Sequence, residues 1–110
     1  MNKKENELSF NEKVWELCKQ IPSGKVSTYR EIAHALNCRG YQAVGNALNK
    51  NPYAPIVPCH RVVNVNGNIG GFAWGSKQKI NQLKKEGVFV REGKIVNFQE
   101  KLFIFADKKN

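Results

Sequence analysis

Several features that mark common protein classes are scarce or absent in this chain of 110 residues. It has only three cysteines, Cys18, Cys38 and Cys59, with no C-x-x-C spacing and no paired histidines, which indicates neither a disulfide framework nor a zinc site. No apolar run approaches the ~18 residues that a membrane-spanning helix needs, and the polar N-terminus does not resemble a signal peptide. We therefore expect a cytoplasmic protein without a metal site and without a membrane partner.

Acidic residues are also scarce. Nine Asp and Glu stand against eighteen Lys and Arg, so the formal net charge is +9. This surplus favours a polyanionic partner such as nucleic acid over a small neutral metabolite. A generic basic surface is the alternative, but a clear excess persists without the lysines at the two termini. The length has room for one domain with a modest core.

The first half of the chain is predicted to form three helices. Ser9 and Glu12 are spaced as a capping box before apolar residues at helical intervals. Ser27 or Thr28 is placed to cap a second helix, and a third is predicted from about Tyr41 to Asn49. Two short helices joined by a tight turn and backed by a third are typical of a helix-turn-helix, although three-helix packing without DNA stays open.

The second half combines short strands with one more helix. Residues 62–65 are predicted to form a strand ending at an Asn66-Gly67 turn, and residues 88–98 to form a hairpin. Between them, an amphipathic helix from about Ser76 to Lys85 is expected to direct Lys79 and its other lysines to solvent or phosphate. Residues 102–105 form a further strand or an apolar tail.

The fold class that follows is α/β, mainly α: a winged-helix-like helix-turn-helix domain with short strands and a C-terminal hairpin. We expect a polar N-terminal segment over residues 1–8, the domain itself over 9–98, and a C-terminal tail over 99–110.

The stretch Pro58-Cys59-His60-Arg61 carries the strongest chemical signal. It places a lone thiol beside an imidazole and a guanidinium, and a neighbouring base or cation favours the nucleophilic thiolate. Cys59 is therefore a candidate nucleophile, although a buried structural cysteine at the end of a strand is the alternative. Neighbours on a strand point to opposite faces, so a turn or a water molecule must connect Cys59 with His60.

Four motifs together resemble the O6-alkylguanine-DNA alkyltransferase family: residues 58–63, the glycine stretch 67–72, Ala43-Val44-Gly45, and residues 83–87. The resemblance covers roughly residues 10–90, and it is to the C-terminal catalytic and DNA-binding domain alone. It implies that a monomer binds the minor groove of double-stranded DNA carrying O6-alkylguanine and flips the lesion out of the duplex. The alkyl group would then pass irreversibly to Cys59, without a cofactor, because the nucleophile is consumed.

The same resemblance assigns roles to other residues. His60 and Glu86 would form a relay to Cys59 through a bound water, Tyr29 would crowd the flipped nucleotide and protonate the leaving base, and Asn51 would brace the active-site turn. The DNA interface would include Gln42, Tyr41, Arg39, Ala43, Gly45, Arg61 and Thr28. The substrate pocket would include Pro58, Val62, Phe72, Ala73 and Trp74.

Two positions depart from the family pattern. Gln42 stands where the family usually has an arginine that fills the hole left by the flipped base, and an amide lacks that charge and stacking surface. Tyr41 or Arg39 could substitute. Phe72 lacks the hydroxyl of the family's usual tyrosine, which the backbone amide of Ala73 could replace as a donor.

Two alternative functions stay open. The first is a non-enzymatic sensor like the alkyltransferase-like proteins, which bind and flip the lesion but typically replace the acceptor cysteine. Cys59 argues against it. The second is a transcription-factor-like helix-turn-helix with a structural Cys59, for which Ala43, Gly45 and Ala47 offer little direct base readout.

Overall fold

Helices dominate the computed structural model, which describes residues 8–37, 40–53, 56–69 and 76–105. The elements in chain order are α1 (Phe10–Lys19), β1 (Ser27–Thr28), α2 (Tyr29–Ala35), α3 (Tyr41–Asn49), a 3₁₀ helix (Cys59–Arg61), β2 (Val62–Val63), α4 (Ser76–Lys85), β3 (Val90–Arg91), β4 (Lys94–Ile95) and α5 (Phe98–Lys101). This mainly helical arrangement with short strands confirms the predicted fold class. No helix among the described residues is both long enough and apolar enough to cross a membrane.

The predicted caps form at the first two helices. The Ser9 hydroxyl accepts from the Glu12 amide at 3.1 Å and the Glu12 carboxylate accepts from the Ser9 amide at 2.9 Å, so the capping box is complete. Thr28, rather than Ser27, caps α2 by accepting from the Glu31 amide at 3.0 Å. Ser27 instead donates its hydroxyl to the Phe103 carbonyl. Such caps typically stabilise a helix by about 1 kcal/mol each.

Helix α3 packs one face inward and leaves the other exposed. Val44, Ala47 and Leu48 are buried and pack with α1 and α2, while Tyr41 and Gln42 are exposed. The inward face is held further by the Trp15 indole, which donates to the carbonyl of Ala47 at 2.8 Å. The outer face of α3 is thus the face of the helix-turn-helix that is exposed to solvent.

The strands are shorter than predicted. Strand β1 pairs in parallel with β2, with Ser27 opposite Val62. The strand predicted over residues 62–65 ends at Val63, because the Asn64 amide turns back to the Asn68 carbonyl. The predicted hairpin is confirmed but reduced to β3 and β4, joined by a turn with positive φ at both of its central residues.

Residues 102–105 form a packed tail with a single bridge. Leu102 bridges Val26, the Phe103 amide donates to the Val26 carbonyl at 2.7 Å, and Phe105 is buried among the residues of the core.

The core consists of two groups of buried side chains that meet at β2. Val62 belongs to the group formed mainly by α1, α2 and α3, and Val63 to the group formed by α4 and the hairpin. Alternate residues of a strand face opposite sides, so β2 joins both halves. Strand β2 is therefore packed on both of its faces.

Lys79 contradicts the predicted pattern of α4. It is only 7% exposed, and its Nζ donates to the Val62 carbonyl at 2.7 Å. The amphipathic pattern was wrong here because it counts every lysine as solvent-facing, whereas a long side chain can bury its stem and satisfy its head on a backbone carbonyl.

Candidate active site

Cys59 opens the 3₁₀ helix Cys59–Arg61, hereafter the Cys59 turn. Its amide donates to the Val57 carbonyl at 2.8 Å, and its carbonyl accepts from the Val62 amide. The thiol is free and partly buried. Cys59 and His60 therefore lie on a 3₁₀ turn and not on a strand. A turn was one of the two connections expected between them, the other being a water molecule. Of the predicted pocket residues, Pro58 is buried and Val62 is fully buried in the core beneath this turn.

Asn51 makes the bracing contact that was predicted for it. Its Nδ2 donates to the Val57 carbonyl at 2.9 Å, the same carbonyl that accepts from the Cys59 amide. Its Oδ1 accepts from the Tyr53 amide at 2.8 Å. One side chain thus fixes the backbone that leads into the Cys59 turn.

Glu86 meets both basic side chains of the turn. Its carboxylate lies 3.1 Å from the His60 Nε2, and it accepts from the Arg61 Nε at 2.9 Å and from the Arg61 Nη2 at 2.6 Å. Arg61 also donates its Nη1 to the Ile21 carbonyl at 2.7 Å. The pairing of His60 with Glu86 was predicted. The participation of Arg61 was missed, because nothing in the local sequence says which carboxylate a guanidinium will meet.

Protonation at this triad follows from burial and charge. Burial alone would raise the pKa of Glu86, but hydrogen bonds from Arg61 and His60 together hold it below its usual value. Burial lowers the pKa of His60, against the opposing effect of Glu86, and the positive charges of Arg61 and Lys79 lower it further. His60 is therefore neutral at pH 7 and able to accept a proton.

Three more titratable groups lie close to the turn, two of them buried and one partly buried. Burial raises the pKa of the Cys18 thiol to about 12 and lowers the pKa of Lys79 to about 8. Burial also raises the pKa of the Tyr29 phenol, as do the charges of Cys59 and Cys18. At neutral pH, Cys18 and Tyr29 thus hold their protons.

A groove of about 850 Å³ runs beside α3. Tyr29, Tyr41, Gln42 and Gly45 line one part of it. A Cβ on Gly45 would lie 4.0 Å from the Tyr29 ring, an ordinary van der Waals distance, so this part of α3 lies next to the phenol. The rest of the lining comprises Arg30, Asn46, Asn49, Asn64, Val65, Asn66 and Asn68.

Several groove residues were not foreseen. The Asn66-Gly67 turn was predicted as a turn, but only the tertiary structure brings its asparagines opposite α3. Arg30 follows Tyr29 at the start of α2 and also lines the groove. This basic residue was not among those predicted at the DNA interface.

Two residues predicted at the DNA interface have other partners in this structure. Thr28 is only 2% exposed and caps α2, so its hydroxyl does not reach the surface. The guanidinium of Arg61 is held by Glu86 and the Ile21 carbonyl, and its side chain is 16% exposed. Both side chains thus have internal partners, and contact of these two residues with DNA stays a prediction. Ala43, by contrast, is exposed on α3 as expected.

Four predicted site residues, Arg39, Phe72, Ala73 and Trp74, lie outside the described residues. Within the described ranges, no group of three or more His, Cys, Asp and Glu residues is arranged to hold a metal ion.

Comparison with known proteins identifies the family of this chain. The family model described as the DNA-binding domain of 6-O-methylguanine DNA methyltransferase matches residues 9–88. A methylated-DNA--protein-cysteine methyltransferase of Methanosarcina acetivorans is 48% identical over 79 residues, which are 71% of this chain and 51% of that protein. The protein of the same name from Saccharolobus islandicus is 47% identical over 83 residues, 76% of this chain and 54% of its own length. The chain thus spans about half the length of these relatives.

Solved structures show the same fold. S. pombe Atl1, in complex with damaged DNA containing O6-carboxymethylguanine, superposes with a TM-score of 0.77 at 31% identity, covering 92% of this chain and 98% of that one. Mycobacterium tuberculosis OGT in complex with DNA has a TM-score of 0.67 at 39% identity, covering 72% of this chain and 50% of that one. The C-terminal position of this domain in longer relatives stays a prediction.

Proposed function

This chain belongs to the 6-O-methylguanine DNA methyltransferase family, and we propose that it repairs double-stranded DNA by taking the alkyl group of an O6-alkylguanine onto Cys59. The observation that carries the proposal is the arrangement of the Cys59 turn. A partly buried free thiol begins the turn, and a neutral imidazole that is held by a carboxylate follows it directly. A thiol beside an oriented base is the arrangement that nucleophilic catalysis requires.

The proposed transfer begins with the proton of the Cys59 thiol. His60 takes the thiol proton, directly or through one water, and Glu86 stabilises the resulting imidazolium. The Cys59 sulfur then attacks the alkyl carbon, the S–C bond forms, and the bond from carbon to guanine O6 breaks. Guanine leaves with that electron pair and gains a proton. The Tyr29 phenol, which keeps its proton at neutral pH, is the proposed donor, and the phenolate that remains regains a proton through water from the His60 imidazolium. The product thioether cannot act again, so each molecule acts once.

The groove beside α3 is the proposed DNA surface. Its exposed residues Tyr41 and Gln42 would enter the minor groove, with the lesion nucleotide flipped past Tyr29 towards Cys59. The formal net charge of +9 supports attraction to phosphates. We propose that the protein acts as a monomer.

A second candidate is a lesion-binding sensor that does not transfer the group. It is favoured by the match to S. pombe Atl1, of which this chain covers 98%. Cys59 favours transfer, because a sensor has no need of a nucleophile.

Mass spectrometry separates the two candidates. The protein is incubated with an equimolar duplex containing one O6-methylguanine, and its intact and peptide masses are compared with those of Cys59→Ser. One methyl group gained on the peptide with Cys59, and none in the variant, is the expected result. Tight, lesion-selective binding without any gain would make the protein a sensor, and no gain without selectivity would refute both candidates.

A further inference from the structure

The groove beside α3 has little positive charge of its own. Among the described residues that line it, Arg30 of α2 is the only charged one, and the side formed by the turn carries Asn64, Asn66 and Asn68. A duplex lying in the groove presents two phosphate backbones, because one backbone flanks each side of its minor groove. The asparagine side of the groove therefore faces one backbone without a charged group in its lining.

The β3–β4 hairpin joins this turn edge to edge. Lys94 of β4 forms an antiparallel bridge with Asn68, and the Ile69 amide donates to the Gly93 carbonyl at 2.9 Å. On its other edge, Lys94 pairs with Arg91 of β3. Asn68, Lys94 and Arg91 thus lie side by side on three neighbouring segments of the chain, and these three residues are hereafter called the hairpin row.

The side chains of the hairpin row lie on the outer face of the hairpin. Residues directly opposite each other on paired strands place their side chains on the same face, and the next residues along each strand use the other face. Those next residues, Ile69, Ile95 and Val90, pack in the core group formed by α4 and the hairpin. The two cations of the row are exposed. Since the asparagine of the row lines the groove, the row continues the groove wall outward with positive charge.

Arg91 and Lys94 form an unfavourable pair in the free protein. Like charges directly opposite each other on a hairpin repel and destabilise it. Within the described residues, neither side chain has an ion pair, and Glu92 in the turn between them pairs with neither. An anion placed beside both charges would offset this repulsion. The pair is therefore better suited to binding an anionic ligand than to stabilising the hairpin.

We propose that Arg91 and Lys94 form a second phosphate-binding site, which holds the backbone of duplex DNA on the Asn68 side of the groove. The inference rests on the proposed function in that the groove beside α3 takes the DNA. Contacts to a phosphodiester backbone position the duplex without reading its sequence. Arg30 and the hairpin row then hold one backbone each. Both cations of the row lie beyond residues 9–88, so the family match does not extend to this site.

The test measures binding of an undamaged duplex by fluorescence anisotropy over a range of salt concentrations. In the double variant Arg91→Gln with Lys94→Gln, we expect roughly tenfold weaker binding near 0.1 M salt. The log–log slope should become shallower by about two, because two fewer counterions are released. The exchange Arg91→Lys with Lys94→Arg keeps both charges and should keep the wild-type slope. An unchanged slope in the glutamine double variant would overturn the proposal.

Lys77→Gln with Lys84→Gln is the matched control, because it removes the same charge from two exposed positions of α4. Leu83 of α4 packs with the inward-facing side chains of the hairpin, so α4 lies on the opposite side of the hairpin from the row. The control should keep its slope to within about half a unit. An equal loss of affinity and slope in the two double variants would show that only net charge matters, and the proposal would fall.

Thermal stability separates a ligand site from a structural role. Without DNA, the glutamine double variant should unfold at a higher midpoint temperature than the wild type, because the repulsion between the two cations is gone. Circular dichroism measures this midpoint. A lower midpoint would show that Arg91 and Lys94 serve the fold, and weaker DNA binding would then follow from a damaged hairpin. That result would also overturn the proposal.

Failure of this inference and failure of the proposed function give different results. If the salt slope depends on the hairpin row but the wild-type protein takes no methyl group from an O6-methylguanine duplex, the phosphate site stands and the transfer function falls. If the wild type takes the methyl group and the glutamine double variant binds the duplex as the wild type does, the function stands and the inference falls.

Discussion

Glu86 accepts hydrogen bonds from Arg61 through both carboxylate oxygens, one 2.9 Å from Nε and the other 2.6 Å from Nη2. The same carboxylate meets His60, and the remaining arm of Arg61 holds the carbonyl of Ile21 just after α1. Three separate parts of the chain are thus tied together around the Cys59 turn. A two-pronged arginine–carboxylate pair fixes geometry as well as charge, so we regard Arg61 as the residue that orients Glu86 towards His60.

Replacing Arg61 with leucine should destabilise the protein by about 2–4 kcal/mol, because the substitution leaves a partly buried Glu86 without its main partner. Urea unfolding followed by circular dichroism measures this loss. Lys19→Met is the control. It breaks the Glu16–Lys19 pair, whose side chains are 56% and 43% exposed, and should cost no more than about 0.5 kcal/mol. Equal losses in the two variants would contradict the importance of the Arg61–Glu86 pair.

Stability should fall as the solution is acidified from neutral pH. The pKa of His60 in the folded protein is below its ordinary value of 6.5. As the pH falls, the unfolded chain therefore binds a proton at His60 before the folded protein does, which favours unfolding. The pKa of Glu86 is also below its ordinary value of 4.5, so its contribution is present above that pH and is lost as the pH falls through the folded-state value. Both groups therefore make the free energy of unfolding decrease with falling pH.

Urea unfolding at pH 7, 6, 5 and 4 checks this slope. His60→Gln should reduce the change in the free energy of unfolding between pH 7 and 5. His34→Gln, a change at an exposed position of α2, should leave that change as it is in the wild type. A wild-type stability that rises on acidification would show the sign to be wrong.

Asn51→Ala should both destabilise the protein and slow the reaction of Cys59. The variant loses the hydrogen bonds to Val57 and Tyr53, which together contribute about 1–2 kcal/mol. It also frees the backbone before the Cys59 turn, so slower methyl transfer from an O6-methylguanine duplex is expected in a single-turnover assay. Asn81→Ala, at an exposed position within α4, should change neither property. An unaltered transfer rate in Asn51→Ala would remove the bracing role.

Gln42→Arg should strengthen binding to duplex DNA and make it more sensitive to salt. Gln42 is exposed and lines the groove, so the new guanidinium would reach a DNA phosphate or the stacked bases. Binding would then release about one more counterion from the DNA. Fluorescence anisotropy over a range of salt concentrations should show tighter binding at low salt and a log–log slope steeper by about one. Gln99→Arg carries the same charge on α5, away from the groove lining, and a similar gain there would show that only net charge matters.

Much of the fold was predictable from local signals. The capping box at Ser9, the helix over Tyr41–Asn49 and the helix over Ser76–Lys85 all formed as the spacing indicated. These signals are local, because a cap and an apolar face act within a few residues of chain. Strand lengths were overestimated. The hydrogen bond from Asn64 to Asn68 ends β2 early, and the pairing of Ser27 with Val62 joins residues that are far apart in sequence.

The candidate site was foreseen in part. The bracing amide of Asn51 and the pairing of His60 with Glu86 formed as the family resemblance implied. The side chains of Thr28 and Arg61, predicted to lie at the DNA interface, have internal hydrogen-bond partners that the resemblance did not indicate. Catalytic roles and DNA contacts stay predictions until the experiments above are done.

The amino-acid sequence by itself determined the family, the thiol at Cys59, the positive charge and the main helices, since these follow from residue identity and short-range periodicity. Only the tertiary structure decided that Lys79 turns inward to Val62 and that Arg61 holds Glu86. Whether a charged side chain faces water or a buried carbonyl depends on the free-energy balance between its hydration and its partners in the folded chain. Those partners come together only when α4 packs against the Cys59 turn.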